Sequence, residues 1–210
     1  MFYFILPDCC IAFNAKVAST ALAFSIVHKY YPERLVDTLE RHRKNTEGLS
    51  AEFIKTLPES IQKSIYNDKC DSVAFWQSVC LTKPNPNPPI LLLVREPVDR
   101  FISAVAHLQI DPEVTISALE SNGKMVFQKL SRNARNDTHL LPQHIYNGPD
   151  TKLYKFPDDL EKLCRDANLD WPLPRVNEGK YSKPVLTEDQ IRRIEAYYSE
   201  DMKIWNSMNG

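Results

Sequence analysis

The stretch that most limits the fold is "ILLLV", Ile90 to Val94, five consecutive aliphatic residues with no polar position among them. A strand with one wet face alternates apolar and polar residues, so an uninterrupted run of this length belongs to a strand covered on both faces, central in its sheet. Its flanks agree. "TKPNPNPP", Thr82 to Pro89, has four prolines in eight residues and can be neither helix nor central strand. After the run come Arg95, Glu96 and Pro97, then Val98, Phe101, Ile102 and Val105 at i, i+3, i+4 and i+7. That spacing predicts a helix with proline in its first turn.

The same strand, turn and helix order occurs near the start of the chain. Phe2–Leu6 and Cys9–Asn14 read as two short strands separated by the turn signal Pro7-Asp8, and Val17–Tyr31 is apolar almost all round, as in a helix buried on several sides. Residues 30–48 turn polar at helical spacing around Leu35 and Leu39. Residues 50–81 carry a helical repeat from Phe53 to Ile65, broken at Pro58, and a further helix over Val73–Leu81. A helix opens at Asp111-Pro112-Glu113, with aspartate as cap and proline at the first helical position. "KLYKF", Lys152 to Phe156, reads as a third parallel strand followed by the helical "PDDLEKLCRDANL". Thr187 and Gln190 form a capping-box pattern that opens a last amphipathic helix toward Trp205. Strands alternating with helices predict an α/β fold with a mainly parallel central sheet flanked by helices, and 210 residues suit one domain over the whole chain.

Composition narrows the class of partner. With 26 basic and 27 acidic side chains there is no chain-wide basic excess for nucleic acid or anionic lipid, so any anion site must be local. Five cysteines without a C-x-x-C pair point to reduced, packed thiols rather than disulfides or zinc. The apolar N-terminus lacks a basic leading region and is interrupted by Pro7-Asp8 well short of a membrane span. A cytoplasmic protein with no membrane and no nucleic-acid partner is expected.

In an open α/β sheet, ligands gather at the carboxyl ends of strands, where loops lead into helix N-termini that attract anions. "NAKVAST", Asn14 to Thr20, occupies that place after the first strand pair. Lys16 offers a charge, Ser19 and Thr20 offer hydroxyls, and Ala15 and Ala18 let a phosphate come close to the backbone. The same residues also suit a plain helix start with a hydroxyl cap and a snorkelling lysine, because both glycines of G-x-x-x-x-G-K-[ST] are missing. In "LLLVREPVDRFISA", Arg95 ends the central strand and Ser103 lies on the following helix, where a guanidinium fork and a hydroxyl suit a phosphate monoester. Arg95 is equally placed for an ion pair with Glu96 or Asp99.

"AKVASTALAFSI" resembles the 5'-phosphosulfate-binding segment of sulfotransferases that use 3'-phosphoadenosine 5'-phosphosulfate, and "LLLVREPVDRFISA" is similar to their 3'-phosphate-binding segment, V-R-x-P-x-x-R-x-x-S-A. "DTHLLPQ" resembles a D-x-H-x-x-P-Q stretch of the carbohydrate sulfotransferase branch, and the C-terminal "LPRVNEGKYSKPVLTEDQIRRIEAYYSEDMKIW" resembles its ending. The likeness runs from about Cys10 to Trp205, with an unmatched middle between about Pro32 and Asn87. Departures are Ala15 for the family's usual proline, Val105 for a frequent tyrosine and Leu140 for a frequent tryptophan.

The resemblance implies a P-loop-like sulfotransferase fold. It implies sulfuryl transfer from 3'-phosphoadenosine 5'-phosphosulfate (PAPS) to a hydroxyl of a glycan or small-molecule acceptor, leaving adenosine 3',5'-bisphosphate (PAP). Lys16, Val17, Ala18, Ser19 and Thr20 would hold the phosphosulfate, and Arg95 and Ser103 the 3'-phosphate. With Lys16 supplying charge to the leaving phosphate, no metal is expected. The acceptor hydroxyl needs a base, for which His139 is the candidate, with His107 and His144 behind it and Asp137 as its orienting group or as a turn cap. Lys183 or Ser182 would close over the nucleotide. Trp76, Trp171 and Tyr181 would stack on adenine or sugar, or belong to the core. Two other readings stay open: a P-loop-like kinase, which calls for a glycine pair that "NAKVAST" lacks, and a nucleotide-binding module without catalysis.

Overall fold

In the computed structural model, residues 3–6, 8–12, 14–30, 89–127, 130–174 and 181–209 are described. The helices expected over residues 32–81 and the proline-rich approach over 82–88 lie outside them. Strands β1 (Tyr3–Ile5), β2 (Cys10–Ala12), β3 (Ile90–Val94) and β6 (Thr151–Lys155) form a sheet in the order β1-β2-β3-β6. β1 runs antiparallel to β2, while β2, β3 and β6 make a parallel set. With six α-helices among the described residues, the chain is an α/β fold. None of these helices is long and apolar enough to cross a membrane.

The chain divides into two compact units, and the boundary falls inside β3. Met1–Phe13, Ala18–Leu91 and Glu161–Lys180 make the first; Asn14–Val17, Leu92–Leu160 and Tyr181–Gly210 make the second.

In the first unit, Cys10 and Ile11 pair with Ile90 and Leu91. Helix α1 (Ser19–Tyr30) buries Ala21 through Ile26 without interruption, as its apolar sequence requires. It starts two residues later than the hydrophobic pattern predicts, because Ala18 has a left-handed backbone, φ 59°. Cys9, Cys10 and Cys164 are buried. Burial pushes the Cys9 thiol up to about 11 and that of Cys164 up to about 12, so both stay protonated and inert at neutral pH.

In the second unit, all of Leu92–Val94 is buried and Val94 accepts a hydrogen bond from Phe156 N at 2.7 Å. Helix α2 (Pro97–Leu108) is capped by Glu96, whose carboxylate accepts from Val98 N and Asp99 N, with Pro97 at the first turn. Helix α3 (Pro112–Ser121) opens on the expected Asp111 cap, 3.0 Å from Val114 N. A hairpin of β4 (Lys124–Phe127) and β5 (Leu130–Asn133) follows, unforeseen in the sequence because the intervening Gln128-Lys129 lacks the glycine or asparagine that marks a two-residue turn. Helix α4 (Leu160–Asp166) begins after a turn at Pro157–Asp159 and crosses into the first unit.

The last helix is two. The Thr187–Gln190 capping box opens α5 (Glu188–Tyr197), and a break at Tyr198 separates it from α6 (Ser199–Ser207). The break is tertiary in origin, since Tyr198 is buried and its hydroxyl donates to Leu140 O at 2.7 Å. Phe101, Val105, Ile116, Leu119, Leu140 and Ile194 fill the core between α2, α3 and α5. Phe101→Ala should therefore lower unfolding free energy by about 3–5 kcal/mol in urea titrations. Loss of the exposed cap in Thr187→Ala should cost about 1 kcal/mol.

Candidate functional site

The turn Asn14–Val17 is shaped by partners far away in sequence. Asn14 is buried, and its amide nitrogen donates to Leu93 O at 3.1 Å and to Gln143 Oε1 at 2.8 Å. Gln143, also buried, reads the Arg95 backbone in both directions: its Oε1 accepts from Arg95 N at 2.9 Å and its Nε2 donates to Arg95 O at 2.7 Å. One side-chain amide thereby extends the hydrogen bonding of β3 by a residue and leaves none of these buried polar groups orphaned.

Two arginines hold the turn's carbonyl oxygens. Arg95 Nη1 donates to Lys16 O at 2.8 Å, and Arg100 Nε donates to Ala15 O at 3.4 Å. Arg100 is 2% exposed, and its Nη2 also donates to His139 O and Leu141 O, so one guanidinium joins the turn to the loop that carries His139. It stacks over Tyr198, 5.9 Å from the ring centroid. With its carbonyl oxygens drawn toward the arginines, Lys16 takes a left-handed backbone, φ 68°. Val17 has negative φ, and such a change of hand between neighbours turns successive N–H groups to one side, the geometry of anion-binding nests. A left-handed lysine costs about 1–2 kcal/mol, so the turn persists only because its surroundings hold it.

The side chain of Lys16 is half-buried, and among the described residues its ammonium makes neither a hydrogen bond nor an ion pair. Burial and the neighbouring Arg95 charge push it down to about 8. A lysine lowered on folding costs stability at neutral pH. That cost is relieved as pH rises from about 8 toward the ordinary lysine range, or when an anion arrives.

Arg95 itself is already committed. Its Nε and Nη2 lie 2.8 and 2.7 Å from Asp99 Oδ2, and it sits over the Phe156 ring at 5.2 Å. Of the two sequence readings of this residue, the ion pair with Asp99 is the contact present, while Glu96 is used as a helix cap. One N–H remains on each terminal nitrogen of Arg95. The second oxygen of Asp99 accepts from Lys183 at 3.2 Å. Burial raises the Asp99 carboxyl, but hydrogen bonds from Arg95 and Lys183 outweigh it and leave the group below its ordinary value.

His139 is held by a buried carboxylate. Its backbone N–H and its Nδ1 both donate to Asp137 Oδ1, at 2.9 and 3.0 Å. Asp137 therefore caps the turn and orients the ring at once, and in the neutral form the lone pair falls on Nε2. The His107 ring lies 5.1 Å from that of His139. Burial, Lys16 and His139 push His107 down to about 4, with Asp137 opposing. His144 is instead tied to Asp201, a buried carboxylate that accepts from Gln143 N, His144 N and His144 Nδ1 at 2.7–2.8 Å.

Lys16, Arg95 and His139 thus fall in one unit with His107 and Lys183. Val17 is buried in the same unit. Ser103 is half-buried on α2 and makes no hydrogen bond among the described residues. Ala18, Ser19 and Thr20 belong to the first unit, where Ser19 and Thr20 begin α1. Trp171 and Tyr181 are exposed rather than core residues, and Trp76 and Ser182 divide: Trp76 lies outside the described residues, and Ser182 is exposed beside Lys183. Sequence reasoning missed Arg100, Asn14, Gln143 and Asp201. Arg100 did leave a signal, because it is a charge on the apolar face of α2 beside Phe101 and Ala104.

Comparison with family models, curated proteins and solved structures finds no match for this chain. Removing the buried arginine tests the geometry directly. Arg100→Met leaves three carbonyl oxygens without their donor and should cost about 3 kcal/mol or more in urea unfolding. The exposed Arg192→Met should stay within about 0.5 kcal/mol.

Proposed function

We propose that this protein is a sulfotransferase that moves a sulfuryl group from PAPS to a hydroxyl of a carbohydrate or small-molecule acceptor. The observation that carries the reading is Lys16: a half-buried ammonium without a counter-charge among the described residues, in a left-handed turn beside a second cation. Such a charge is stabilised by an incoming anion, and the motif resemblance names which anion. Val17, Ala18, Ser19 and Thr20 complete the phosphosulfate segment by that resemblance, and Ser103 with the two remaining N–H groups of Arg95 would receive the 3'-phosphate.

In the reaction the acceptor oxygen bonds to sulfur as the bond from sulfur to the bridging phosphate oxygen breaks. The acceptor's proton passes to His139 Nε2, whose ring is oriented by Asp137. Charge builds on the departing phosphate, and Lys16 stabilises it more in the transition state than in the ground state. A cytoplasmic location and a glycan acceptor remain part of the proposal on the strength of the sequence.

The ion pair between Arg95 and Asp99 favours one second reading, a nucleotide-binding module without transfer. Stabilisation by PAP without turnover on any acceptor would select it.

PAP should raise the melting temperature more than ATP with Mg²⁺ does, and the reverse order would point to a kinase instead. Lys16→Ala should lose about 10²-fold or more in transfer while remaining folded; survival of turnover would remove the role given to Lys16. Because the charged ammonium binds the anion, affinity for PAP should weaken as pH rises through about 8. Isothermal titration at pH 7 and pH 9 measures this, and in Lys16→Arg the weakening should vanish.

A further inference from the structure

Two imidazoles stand side by side in the second unit, and only one has a carboxylate on its ring. His139 is fixed twice to Asp137. His107, in the last turn of α2, makes no hydrogen bond among the described residues. Its ring is held by packing instead: His139 on one side at 5.1 Å with planes tilted by 36°, and the edge of Tyr181 at 6.0 Å and 79°. Tyr181 is 44% exposed, so this stack of three rings runs from a buried carboxylate out to the surface.

We infer that His107 is a positioning residue: its ring, packed between His139 and Tyr181, holds the His139 imidazole against Asp137 and leaves the acceptor's proton to His139 alone. The inference rests on the reading of His139 as the base. The surroundings of the two rings explain the division. His107 faces the Lys16 ammonium, the His139 ring and the Tyr181 phenol, and among the described residues Asp137 is the acid that acts on it. Burial and the Lys16 charge disfavour a proton there, so at neutral pH His107 is an uncharged spacer. His139 instead has Asp137 on its Nδ1, which leaves Nε2 to face the acceptor. A flat, neutral, rigid side chain can brace a neighbouring imidazole without competing for its proton. An aliphatic residue would leave the ring free to rotate off Asp137.

Imidazole proton and nitrogen NMR of the whole protein tests this without an acceptor. The low-field Nδ1 proton of His139, hydrogen-bonded to Asp137, should be seen in the wild type, persist in His107→Phe, and be lost to exchange in His107→Ala. Transfer should fall about tenfold to a hundredfold in His107→Ala with KM for PAPS unchanged, and His107→Phe should recover most of it. PAP-induced thermal stabilisation shows that each variant is folded. An Nδ1 resonance unaffected in His107→Ala overturns the inference. A Phe variant as impaired as the Ala variant overturns it as well, by showing that the imidazole of His107 itself handles the proton. Failure of PAP to stabilise the wild type would instead count against the sulfotransferase reading, and the NMR comparison would stand apart from it.

Discussion

The candidate site depends on two arginines that donate to backbone carbonyl oxygens. Arg95 takes Lys16 O, and Arg100 takes Ala15 O together with His139 O and Leu141 O. An arginine beside a carboxylate can be exchanged for other charges, but a planar fork that meets several carbonyls from different segments has no simple substitute. Arg100 is buried because that is where those segments meet, and its polar head is satisfied there. Without it, the turn would have no reason to keep a lysine in the left-handed region.

That arrangement places positive charge where it is least comfortable. Lys16 is half-buried beside Arg95, and His107 is kept neutral nearby. Asp99 compensates Arg95 and Lys183, while among the described residues nothing compensates Lys16. The imbalance is local in a chain of net charge -1. Acid sensitivity follows from the same cluster. His107 is lowered on folding, so the unfolded chain binds its proton more readily, and stability falls as pH drops from about 6.5 toward 4.

The parts legible in the sequence were those set by local rules. The apolar run Ile90–Val94 announced a covered strand, Asp111-Pro112 a helix start, and Thr187 with Gln190 a capping box. The parts that were not legible rest on distant partners. The break at Tyr198 has no glycine or proline to mark it and follows from burial against Leu140. The late start of α1 follows from a turn whose strain is held by side chains some 80 residues on. His139 and Asp137 were readable as a pair, being two residues apart, whereas Gln143 bonding to the Arg95 backbone could not be foreseen from either residue. Of the two acids beside Arg95 in sequence, Asp99 takes the ion pair and Glu96 the helix cap, a choice that spacing alone leaves open.

The most direct test of the account is the ionisation of Lys16 itself, followed by NMR at its side-chain nitrogen across pH, with and without saturating PAP. The account predicts a midpoint near 8 in the free protein and a rise toward the ordinary lysine value when the anion is bound. An ordinary value in the free protein, or a low value that PAP leaves unmoved, would contradict it.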